Sequence, residues 1–156
     1  PLDAFLRAAG GDPTALLAGV MVNPAAADRD RELRRFEYKV EAGAEFVVTR
    51  PVFDVAAFER FLRRIEHLHI PVVAGLWPFD SALNAEFMAN EVPDVVVPVA
   101  LVERMRAATG VDGARREGAK IAAELLAALR PMTAGVVVST PGGHVERALE
   151  ILSAAG

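Results

Sequence analysis

The sequence contains no cysteine, which excludes disulfides, zinc–thiolate sites, iron–sulfur clusters and a cysteine nucleophile. It has no excess of positive charge. Lys and Arg number 17 against 21 Asp and Glu, a net charge of −4. That balance argues against a nucleic-acid face built on phosphate contacts. No apolar run approaches the roughly 20 residues of a membrane span. No basic-then-apolar leader opens the chain, so a cytoplasmic location is the expectation. The first residue is Pro rather than Met, and the expectation drawn from it is that something lies upstream. Glycine-rich phosphate motifs of the G-x-G-x-x-G or Walker type are missing. His67, His69 and His144 do not form a metal set, and no Ser/His/Asp order or carboxylate pair stands out. Glu66, Glu86, Asp94 and Glu146 read as surface residues.

What is present is apolar material. Hydrophobic residues make up 53% of the 156, enough for a sizeable core in one domain. Four short apolar runs alternate with longer periodic segments. Strands are expected near residues 17–22, 45–49, 72–76 and 135–139. Each is a near-continuous apolar run, the pattern of a parallel sheet buried on both faces. Helices are expected over 28–42, with Leu33, Phe36 and Val40 inward, and from Asp54, with Phe58, Phe61, Leu62 and Ile65 recurring at helical spacing. Others are expected over 81–90, over 114–130 and from Val145 onward. An insertion at about 93–113 interrupts the rhythm. Val95 to Val97 reads as a short strand and 98–108 as a short helix, with Gly110 and Gly113 as breakers. A further helix is expected at 2–9.

The order is β-α-β-α-β-α, an insertion, then α-β-α, which places the chain in the α/β class. A (β/α)₈ barrel needs about 250 residues, and four βα units are half of one. The alternative is a small doubly wound sheet, which usually carries a Gly-rich first turn.

In parallel barrels, sites gather where strands end. Here those positions are Asn23-Pro24, Thr49-Arg50-Pro51, Leu76-Trp77-Pro78 and Ser139-Thr140-Pro141. Pro stiffens each turn, either as the rim of a site or simply as a strand stop. Glu32, Arg35 and Lys39 share one stripe of the first helix. They either hold a nucleotide or form a solvated face. Gly142-Gly143 before His144 is either an anion-binding helix start or only a turn.

The stretch Gly43-Ala44-Glu45-Phe46-Val47-Val48-Thr49-Arg50-Pro51-Val52-Phe53-Asp54 resembles one in methylenetetrahydrofolate reductases. So do Pro71-Val72-Val73-Ala74-Gly75-Leu76-Trp77-Pro78, the segment from Asn84 to Pro93, and Val145-Glu146-Arg147-Ala148-Leu149-Glu150. The resemblance runs from about Ala18 to the C-terminus and is nearest to forms fused to a homocysteine methyltransferase. It implies a single partial domain over 1–156, strands five to eight of a TIM barrel. It implies an FAD-dependent oxidoreductase acting on CH–NH donors in one-carbon metabolism and methionine biosynthesis. A hydride passes from NADH or NADPH to FAD and then to methylenetetrahydrofolate.

By the same resemblance, Asn23, Glu32, Arg35, Tyr38 and Lys39 contact FAD, and Arg50, Asn84, Met88 and Thr140 contact the folate. No catalytic residue and no metal ligand is assigned in this chain; the acid that activates the folate lies in the family's other half. Arg50 is a departure, because the family usually has Gln there. Arg only donates hydrogen bonds and is always charged. The implied partners are a folate and the other half of the barrel or a second copy, with neither nucleic acid nor membrane. The rival expectation is a non-catalytic half-barrel that binds folate, flavin or a protein partner. Asn23, Arg50, Asn84, Met88 and Thr140 are expected around one concavity.

Overall fold

Three of the loops that follow strands end in a polar side chain that starts a helix. Asp28 Oδ1 accepts a hydrogen bond from Arg31 N at 2.9 Å, and Asp54 Oδ1 from Ala57 N at 2.8 Å. Ser81 Oγ accepts from Asn84 N at 3.1 Å. Each satisfies a backbone donor that the helix itself cannot. In the computed structural model, which describes residues 16–154, they start α1 (Arg29–Glu41), α2 (Val55–Ile65) and α3 (Ala82–Asn90). These follow β1 (Gly19–Val22), β2 (Phe46–Pro51) and β3 (Val72–Leu76). Then come α4 (Val99–Ala107), α5 (Gly110–Leu129), β4 (Gly135–Val138) and α6 (Val145–Ala154). The helix expected at residues 2–9 lies outside the described residues.

The strands pair in parallel in the order β1-β2-β3-β4, so the α/β expectation holds. Strand order never reverses, which removes the doubly wound alternative. Successive crossovers of one hand put their helices on one side of the sheet. Burial follows suit. Val22, Val47, Val72, Ala74 and Leu76 join the core with Phe36, Phe58, Ile121 and Leu129. On the opposite face Met21 is 59% and Val137 40% exposed. The expectation of strands covered on both faces therefore fails for this chain. The alternation that betrays an open face is hidden because both faces carry Val.

Other expectations also need correction. Leu16 and Leu17 precede the first strand and are exposed. Val95 to Val97 forms no strand. Val95 and Val97 are buried and Val96 exposed, so packing alone accounts for the apolar alternation. The insertion's helices break at Ala108 and Thr109, while Gly113 lies inside α5. Asp94 is exposed, in keeping with its reading as a surface residue, and it also ties down the loop after β1. It adopts φ 57°, its carbonyl accepts from Asn23 Nδ2 at 2.9 Å, and its Oδ1 accepts from Ala27 N at 3.3 Å.

Candidate functional site

The C-terminal ends of the strands open into a groove of about 710 Å³. Its floor is the end of the sheet, at Met21 to Asn23, Arg50-Pro51, Trp77 and Ser139. One wall is α1 through Glu32, Arg35 and Lys39; the other is α3 through Asn84, Phe87 and Met88, continued by Val92, Asp94 and Val95.

β2 reaches this groove through an irregularity. Its register with β3 shifts between Val48 and Pro51. Thr49 is 2% exposed, and its Oγ1 accepts from Gly75 N at 3.0 Å while donating to the Arg50 carbonyl at 2.8 Å. Gly75 permits the close approach. A Cβ there would lie 2.6 Å from the Thr49 carbonyl oxygen and 3.1 Å from that of Arg50. Bulges of this kind re-aim a side chain next to a site. Arg50 projects into the groove, and among the described residues its guanidinium has neither an ion-pair nor a hydrogen-bond partner.

The α1 stripe faces the groove rather than open solvent alone. Glu32 Oε1 accepts from Asn23 N at 3.0 Å, and Glu32 stands 3.9 Å from Arg35. Lys39 Nζ donates to the Met21 carbonyl at 2.6 Å, fixing its cation above the end of β1. Asn23 is spent on the loop itself: its Oδ1 accepts from Ala25 N at 3.0 Å and its amide donates to Asp94. Asn84 Oδ1 accepts from Trp77 Nε1 at 3.3 Å. That leaves the Asn84 amide N–H groups without a protein acceptor among the described residues.

Seven of the nine residues named from sequence therefore line one groove: Asn23, Glu32, Arg35, Lys39, Arg50, Asn84 and Met88. Two lie outside it. Tyr38 is 69% exposed, because at 100° per residue it sits about 60° further round α1 than Arg35. Thr140 Oγ1 donates to the His144 carbonyl at 3.1 Å, closing the turn before α6; its neighbour Ser139 lines the groove instead. Thr49, Trp77 and Ser139 stand at strand ends that the sequence marks as site positions, but it assigns them no ligand, and Phe87 is singled out by nothing in the sequence. A lone Trp at a strand end was a usable signal. Nothing in the sequence signals the bulge at Thr49.

No group of three or more His, Cys, Asp or Glu among the described residues could hold a metal ion. No described helix is long and apolar enough to cross a membrane.

Against solved structures, the chain is similar to an uncharacterized protein from Clostridium thermocellum that binds two copies of 5-methyl-5,6,7,8-tetrahydrofolic acid. The TM-score is 0.59 at 21% identity, over 98% of this chain. The likeness is one of fold, and this chain spans 57% of that protein's chain. Against family models, residues 14–139 match methylenetetrahydrofolate reductase, and the chain belongs to that family.

Proposed function

We propose that the groove serves a flavin-dependent methylenetetrahydrofolate reductase. In that reaction 5,10-methylenetetrahydrofolate would become 5-methyltetrahydrofolate, with NADH or NADPH as the hydride donor and FAD as the group the groove would hold. The observation that carries the reading is an unpaired cation, Arg50, facing an apolar wall of Trp77, Phe87 and Met88 within one groove. A folate needs both surfaces, because it joins a flat heteroaromatic ring to carboxylates. The methylated folate bound by the Clostridium thermocellum protein is of the same ligand class.

The groove's residues also fit FAD, a flat aromatic group joined to a pyrophosphate. The Arg35 side chain is 63% exposed and held only by a long contact to Glu32. Lys39 spends one of its three donors on Met21, so both can meet phosphate oxygens. Tyr38, at the edge of the same helix, is proposed to border the nucleotide end, and Asn23 to shape the rim. When bound, FAD supplies the relay between the nicotinamide's hydride and the folate. This chain's part is to bind and orient. Arg50 holds a folate carboxylate through two parallel N–H bonds, and Asn84 donates to a ring acceptor. Met88 packs against the ring, and Thr140 supports the turn beside it.

The sheet is proposed to form strands five to eight of a TIM barrel, completed by the remaining half or by a second copy. An alternative reading, a non-catalytic binding module, is favoured by one observation. The sheet face bearing Met21 and Val137 is open, so the two walls of the groove, α1 and α3, have no counterpart across that face.

Two assays separate the readings: flavin absorbance retained after gel filtration, and NAD(P)H-dependent reduction of methylenetetrahydrofolate. Turnover supports the reductase; ligand retention without turnover supports the binding module. In R50M, which removes the charge and every donor, 5-methyltetrahydrofolate should bind about tenfold more weakly or worse. A hydrogen bond to a charged group contributes about 1.5–3 kcal/mol, and about 1.4 kcal/mol is tenfold. Flavin retention should be unchanged. Equal folate affinity in wild type and R50M removes Arg50 from the site.

A further inference from the structure

A second cavity, of about 250 Å³, lies on the other side of the loop after β3. Trp77 lines the groove, whereas Phe79 lines this cavity together with α5 and α6. Its base is apolar: Phe79 is 2% and Ile151 3% exposed. Its rim is Arg115, Arg116 and Arg147, with Glu150 as the one acid. Three positive charges against one negative run counter to the chain's net −4.

These arginines are poorly neutralised. Among the described residues neither the Arg116 nor the Arg147 guanidinium has an ion-pair or hydrogen-bond partner. Arg115 reaches only Asp112, one turn away on its own helix, at 4.0 Å. The contrast with Arg104 is instructive. Arg104 lies within 2.8 Å of Glu117 and 2.6 Å of Glu124, both on α5. The same helix thus brings two acids within 2.8 Å of Arg104, whereas for the cavity's rim it offers only the 4.0 Å contact of Asp112 with Arg115. The wall is also fixed. α5 presses its Gly118 backbone so close to the Phe79 carbonyl that a Cβ would lie 1.8 Å from it. The cavity's shape is therefore set by backbone packing.

We propose that this cavity is an anion-binding site separate from the groove, taking a compact oxyanion, a phosphoryl or carboxylate group, carried on a short apolar stem. The guanidinium fork matches either oxyanion bidentately, and Phe79 and Ile151 receive the stem. Sites for drug-sized ligands run to about 300–1,000 Å³, so a volume of about 250 Å³ admits a head group and a few carbons rather than a dinucleotide.

The test is an NMR titration of the chain's arginine Nε–H signals with inorganic phosphate and, separately, with glutarate. At least one probe should shift the Arg116 and Arg147 signals saturably. Saturation by phosphate alone assigns a phosphoryl ligand, and by glutarate alone a carboxylate. R116Q/R147Q should weaken binding about tenfold or more, by the magnitude of charge-assisted hydrogen bonds. E150Q should tighten it, and R50Q should leave it unchanged. R147Q alone serves if the double variant fails to fold. Non-saturating shifts with both probes, or equal affinity in the arginine variants, would mean an adventitious ion only and would overturn the proposal.

Discussion

Gly118 and Gly113 occupy the same helix and differ in what surrounds them. A Cβ on Gly118 would meet the Phe79 carbonyl oxygen at 1.8 Å and its carbon at 2.7 Å. Those are backbone atoms, with no rotamer to yield. Gly118→Ala should therefore cost roughly 3 kcal/mol, the upper range for overpacking. A Cβ on Gly113 would find only Thr109 Oγ1, at 4.0 Å. Gly113→Ala should stabilise by about 0.5–1 kcal/mol, the helix-interior difference between the two residues. Urea midpoints for the two variants should move in opposite directions. Both glycines look alike as letters, and Gly113 reads as a breaker. Only the neighbour across the interface tells them apart. Thr49 teaches the same lesson. Its hydroxyl pegs the bulge that aims Arg50, but a Thr in a Val-rich strand is ordinary. Arg50 itself was legible, because it closes a strand where sites gather.

At the scale of elements, legibility tracked locality. α1, α2 and α3 announced themselves through Asp28, Asp54 and Ser81, whose caps act within three residues. The insertion was misread in part because its order comes from distant partners. α4 is fastened to α5 by Arg104, which bonds Glu117 and Glu124. Arg106 also bonds Glu86 on α3 at 2.6 Å. The hydrogen bond from Arg104 holds the Glu124 carboxyl below its usual value of 4.5. A bond from Arg64 does the same for Asp30, usual value 3.8, joining α1 to α2. A carboxyl depressed by folding stabilises the fold above its unfolded pKa. That contribution is lost as pH falls through the folded value. Stability measured by urea unfolding should thus hold between about pH 7 and 5 and decline below about pH 4.5. E124Q should flatten part of that decline while lowering stability at neutral pH. An equal acid slope in wild type and E124Q would separate this pair from the effect.

At the scale of the molecule, the parallel order and helix count follow from hydrophobic runs and caps, but the open sheet face does not. A strand reads the same whether its second face meets a partner or water. Met21 and Val137 decide the matter only once exposure is known. β1 and β4 each have one unpaired edge among the described residues, beside an uncovered apolar face. Such edges and faces invite association. The chain on its own should sediment above monomer mass and bind a hydrophobic dye. Val137→Lys, on the open face and away from the groove, should reduce both. Unchanged association in that variant would mean that contacts form elsewhere.

The tie between Asn23 and Asp94 has a consequence in time. The groove's rim is a hoop of chain closed by two hydrogen bonds, with Asp94 standing 71 positions after Asn23. Chain growth on the ribosome proceeds at roughly 5–20 residues per second. Asp94 therefore emerges about 4–14 s after Asn23. During that interval β1, β2 and β3 can pair, but the loop that carries Asn23 has nothing to fasten to. Closing so long a hoop is a non-local event, of the kind that forms late in folding. The cationic wall of α1 thus exists before the groove it borders, and the groove takes its full form only once the insertion has been synthesised.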